Sequence, residues 1–205
     1  MLALQGFWFR LLLLIENFYI QRFQTMASFP FPPESLNEWR PLDEAGRRSW
    51  LTYASQRFFD PGVVFVPSKA RGRVIVVDGS LVDTLLGFYC AIGEAVNGPG
   101  GYFGLSMLAF DDCLFSGFGL EFPYTIVWRE SQRSQRVLGA QALLKYLEDE
   151  CGHDFDSKWF PQGIAWRENT RRAALAGERT MFDDIVDTIR SVPQRNGGSV
   201  TLVLE

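Results

Sequence analysis

Between Gly79 and Trp128 the chain has no lysine and no arginine, while Asp83, Glu94, Asp111, Asp112 and Glu121 all fall in that stretch. Nucleic-acid phosphates are held by Lys and Arg, so this segment is a poor nucleic-acid surface. It is a fair surface for a basic protein. Histidine occurs once, as His153. Together with Cys151, Asp154 and Asp156 it makes only a weak ligand set, and no metal or cofactor is expected. Three cysteines (Cys90, Cys113 and Cys151) are an odd count without tight spacing. They argue against a disulfide framework and for a reducing, cytoplasmic setting. No Walker sequence is present. "GPGGYFG" (Gly98–Gly104) puts Phe103 where a dinucleotide fingerprint needs its third glycine.

Long apolar runs are also missing. "MLALQGFWFRLLLLI" is broken by Arg10, and Glu16 follows at once. It is too short and too interrupted for a membrane span. Its positive charge also lies inside the run rather than ahead of it, against the order of a signal peptide. An amphipathic helix packed on the domain, or a true start at Met26, are the readings left for this stretch. No membrane association is expected.

What remains is a chain of 205 residues, 47% hydrophobic and 15% aromatic, with a net charge of −4. That suffices for one ordinary core with an appendage. Residues 27–45 are rich in Pro and polar side chains and read as a lead-in. A short helix over 46–60 and a short strand at Val63–Pro67 follow. "RVIVVDG" (Arg73–Gly79) is a β-branched run stopped by Asp-Gly, the pattern of a strand buried on both faces. Ser80–Val96 has apolar residues at helical spacing, with Ser80 and Asp83 as its capping pair. Further helices are expected over 105–115, Ser131–Glu150 and Met181–Val192. Strands are expected at Tyr124–Arg129 and Ser199–Glu205.

The alternation of strands and helices predicts an α/β fold. It should be a small three-stranded parallel sheet flanked by about four helices. The division is a 1–72 extension and a 73–205 domain, with 151–178 read as an insertion.

The distinctive stretch is "GGYFGLSMLAFDDCLFSGFG" (Gly100–Gly119). A bare glycine turn leads into a greasy helix that carries two adjacent aspartates. On a helix Asp111 and Asp112 point about 100° apart, a poor arrangement for a paired acid and base. Helical spacing puts Leu105, Leu108, Asp112 and Phe115 on one face. Met107, Phe110 and Leu114 form the opposite stripe, which should face the core.

The elements Tyr102-Phe103-Gly104, Asp112-Cys113-Leu114 and Val127-Trp128-Arg129 resemble the barstar family of ribonuclease inhibitors. "GEAVNGPGGYFG" and the closing "VTLVLE" look like its actinobacterial branch. The resemblance implies a non-enzymatic inhibitor whose loop and helix enter a ribonuclease active site. The partner would be a secreted or toxin-type ribonuclease, with the chain a monomer when free. By motif position, the implied contact residues are Tyr102, Gly104, Ser106, Leu108, Asp111, Asp112 and Ser116. Where the family carries an acid after Y-F-G-x-N-L, this chain has Leu108. The family's acidic contact on the fourth helix has no counterpart here; Ser191 lies nearby. The implied binding face is therefore more apolar than the family norm. The alternative is a protein-binding module that kept the fold and changed its target. An enzyme would need Asp111, Asp112 and His153 gathered in one deep pocket.

Overall fold

The computed structural model describes residues 33–60, 67–149 and 161–205. They belong to the second of the chain's two compact units, Phe31–Glu205. The elements are α1 (Glu44–Phe59), β1 (Val74–Asp78), a 3₁₀ turn at Gly79–Leu81, α2 (Leu85–Asn97), α3 (Met107–Cys113) and β2 (Tyr124–Arg129). They are followed by α4 (Ser131–Val137), α5 (Ala140–Asp149), α6 (Pro161–Leu175), α7 (Met181–Asn196) and β3 (Val200–Leu204). Both strand pairs are parallel, in the order β1-β2-β3, with Val76 opposite Val127 and Val127 opposite Val203. The fold is α/β, as the alternation of elements predicts.

Trp128, in the central strand, organises the core. Its ring stacks on Phe88 of α2 with centroids 5.1 Å apart and meets Phe182 of α7 at 5.0 Å. Its indole nitrogen donates to the hydroxyl of buried Ser134 at 3.0 Å. Phe110 of α3 meets Phe88 edge-on at 5.3 Å. One sheet face thus buries Ile75, Val77, Tyr124, Ile126 and Trp128 beneath the helices.

The other face corrects an expectation. β1 alternates exposed and buried, with Val74 62% and Val76 40% exposed. The β-branched run is an edge strand covered on one side, because no described element packs over Val74 and Val76. Hydrophobicity alone does not separate this case from a strand buried twice.

Three helix expectations also shift. The second helix begins at Leu85, with Thr84 as its cap: the Thr84 hydroxyl accepts from the Gly87 amide at 3.0 Å. Asp83 does not cap it; its carboxylate is held by the buried Arg47 guanidinium from α1. The helix expected over Ser131–Glu150 breaks at Leu138–Gly139. The Leu138 carbonyl there accepts the Phe182 amide at 2.8 Å, so the break tethers the start of α7. Residues 161–175, within the expected insertion, form the helix α6. These changes, together with α1, account for seven helices among the described residues rather than about four. Residues 63–66 of the strand expected at Val63–Pro67 and the N-terminal segment lie outside the described residues, as do Cys151, His153, Asp154 and Asp156.

Residues on both sides of position 72 share one hydrophobic core. Trp39, Trp50, Leu51 and Ala54 belong to the same cluster as Phe88 and Ile92. The link is polar as well. Glu94 of α2 is 5% exposed and accepts three hydrogen bonds. They come from the Asn37 amide at 2.8 Å, the Trp39 indole at 3.0 Å and the Gly100 amide at 3.1 Å. One carboxylate therefore ties the lead-in to the glycine loop. Glu94→Ala strands three donors and should lower the unfolding free energy by about 3 kcal/mol in urea titration; a loss under about 1 kcal/mol would contradict this clamp.

Candidate functional site

The glycine loop and α3 project from the core between two tethered turns. Asn97, the last residue of α2, donates its amide to the Tyr102 carbonyl at 2.7 Å and to the Phe118 carbonyl at 2.9 Å. A single side chain thus fixes the chain on both sides of α3. Arg73 adds a second brace, donating to the Val96 carbonyl at 2.9 Å and to the Gly119 carbonyl. At the far end of α3, the Tyr124 hydroxyl donates to the Leu114 carbonyl at 2.6 Å.

Gly104 sets how closely the loop meets the helix. Its φ is +90°, and a Cβ there would lie 2.5 Å from the backbone nitrogen of Phe110. Only glycine allows this approach. Ser106 caps α3, its hydroxyl accepting the Ala109 amide at 3.2 Å. Phe110, Cys113 and Leu114 are fully buried, and Met107 packs partly against them. The inward stripe lies where the helical arithmetic puts it.

The residues expected to face a partner do not share one environment. Leu108 is 52% exposed, and Leu105, Asp112 and Phe115 are half-buried around it. Tyr102, Gly104 and Ser106 serve the loop itself. Tyr102 is only 3% exposed, and its ring lies against Phe58, Phe59 and Phe118 at centroid distances of 5.6, 5.6 and 6.5 Å. Here the flat aromatic contact expected of Tyr102 is turned inward, because the lead-in helix α1 ends on it. Ser116 adopts φ +92° in the turn after α3 and is half-buried.

The two aspartates have different surroundings. Asp111 is paired: Arg195, in the last turn of α7, donates to both of its carboxylate oxygens, one at 2.7 Å. The same guanidinium lies 4.6 Å above the Phe115 ring. The Asp112 carboxyl has no hydrogen-bond or ion-pair partner among the described residues. Burial pushes its carboxyl pKa above the usual aspartate range. The neighbouring Asp111 charge pushes the same way, and Arg195 partly offsets both.

Arg195 is the residue that sequence reasoning missed. It lies 84 positions from Asp111, and no local pattern links a base at the end of one helix to an acid on another. Asn97 and Glu94 were equally silent, since their role exists only once the two turns meet. No group of three or more metal-ligating side chains occurs among the described residues, and no helix among them is long and apolar enough to cross a membrane.

Residues 72–161 match the family model described as Barstar (barnase inhibitor). No curated protein and no solved structure matches the chain.

Two outcomes follow from this geometry. Gly104→Ala forces a left-handed backbone on alanine and drives its Cβ into the backbone of α3. It should cost about 3 kcal/mol in denaturant unfolding, against less than about 1 kcal/mol if the turn could relax. Asp112 has a folded pKa above its unfolded one. Its contribution to stability therefore falls as pH rises from the ordinary aspartate range through the raised value. Asp112→Asn should melt higher than the unmodified chain at pH 7, and the difference should close in acid. A variant that melts lower at pH 7 would show that the ionised carboxylate is satisfied internally.

Proposed function

We propose, from the premise that the region 72–161 of this chain is barstar-like, that the protein is a non-enzymatic inhibitor. It binds a ribonuclease or ribonuclease-type toxin and blocks the active site with α3 and its glycine loop. The observation that carries this reading is Asp112. It is a half-buried carboxylate whose pKa is raised by desolvation and which has no internal partner among the described residues. It stands beside the exposed Leu108 on a helix anchored before its start and after its end. A carboxylate without an ion-pair partner, on a rigid helix of the base-free segment 79–128, is suited to a cationic cleft. A ribonuclease focuses positive potential where it holds RNA phosphates. An acid presented there is steered in, then strengthened as water leaves. The chain contributes no reacting group; it excludes substrate by occupying the site.

Leu108 favours a second reading. With more than half of its surface exposed where an acid was expected, the same face would suit an apolar patch on some other protein. The two readings separate in one calorimetric series with barnase as the probe, RNA cleavage being followed in parallel. Under the inhibitor reading the chain binds and cleavage stops. Asp112→Ala then weakens binding at least about 30-fold, the ~2 kcal/mol that marks an interface hot spot. Unchanged affinity in that variant would remove Asp112 from the interface. No binding by the unmodified chain, restored by Leu108→Asp, would favour the changed-target reading.

A further inference from the structure

Arg195 brings a cation of the chain's own to the edge of the proposed interface. It enters from α7, forms a two-point fork on Asp111 and stacks over Phe115. A single exposed ion pair contributes little. This one has added geometry, since the fork and the ring hold the guanidinium in one plane. Its charge also reaches Asp112, where it opposes the effect of burial. The face therefore presents one carboxylate without a hydrogen-bond or ion-pair partner among the described residues, a fixed guanidinium at its edge, and apolar surface from Leu105, Leu108 and Phe115.

We infer that Arg195 is a specificity-determining residue: by occupying Asp111 in cis, it restricts the α3 face to partners that present a single cation, opposite Asp112. This rests on the inhibitor reading and adds the charge pattern of the partner to it. A cleft with two adjacent cations meets repulsion from Arg195 and finds Asp111 already taken. A cleft with one cation, rimmed by apolar side chains or carrying a carboxylate opposite Arg195, meets neither obstacle. The discrimination is made by a repulsive element as much as by an attractive one.

The test compares barnase binding by the full chain and by three variants, with a thermal melt of each as the check on folding. Arg195→Gln should bind at least about tenfold tighter than the unmodified chain, with a steeper loss of affinity on adding salt, because a carboxylate has been freed and a like charge removed. Arg195→Lys keeps the charge and should gain at most about threefold. In Arg195→Gln/Asp111→Asn the gain should disappear. A folded Arg195→Gln that binds no more tightly overturns the inference while leaving the inhibitor reading standing. If neither the unmodified chain nor Arg195→Gln binds barnase, the inhibitor reading loses its support. The same comparison with a hexa-arginine peptide then decides the role of Arg195. A gain in Arg195→Gln that is lost in the double variant upholds it, and the absence of a gain overturns it.

Discussion

A seven-residue helix has no stability of its own in water, and the structure depends on how α3 is held. Its inner stripe (Phe110, Cys113 and Leu114) is buried against the aromatic stack built on Trp128. Its ends are fixed from outside: Asn97 binds the turns before and after it, and Tyr124 binds the carbonyl of Leu114. The close approach at Gly104 removes the remaining slack. With the inner face committed to the core, the outer face has one fixed orientation. Its side chains then point in defined directions without a bound partner to order them. Such preorganisation lowers the conformational cost of association.

The lead-in 33–59 extends this support. Glu94 gathers Asn37, Trp39 and Gly100 around one buried carboxylate. Phe58 and Phe59 close over Tyr102 and Phe118. The helix α1 is thus an internal brace on the loop's flank, and it leaves Leu108 open. This arrangement explains why an aromatic expected at the surface is buried, while an aliphatic at the place of an expected acid is exposed.

Elements with strong local signals were legible in the sequence. The strand at Tyr124–Arg129 and the inward stripe of α3 follow from residue patterning, and the parallel pairing from the alternation of strands with helices. What was not legible depends on distant partners. The open side of β1 reflects the lack of a described element above Val74 and Val76, which no property of "RVIVVDG" announces. The break at Leu138–Gly139 exists because its carbonyls receive the start of α7, more than forty residues on. The candidate site divides the same way. The acids and glycines could be read from residues 100–119, but whether each aspartate is paired depended on Arg195. Helical spacing and the motif single out Asp112 over Asp111 in the sequence, but only the structure makes Asp111 a closed ion pair and leaves the Asp112 carboxyl without a partner among the described residues.

That difference carries the functional account. A fold that half-buries a carboxyl group without a partner gives up stability once that group ionises, and such local costs concentrate at sites of action. The most direct measurement is amide hydrogen exchange of the full chain, free and mixed with barnase. The account predicts added protection over residues 104–116 and at the end of α7 around Arg195, with the open sheet face at Val74 and Val76 unchanged. Protection confined to that sheet face, with α3 unchanged, would contradict it.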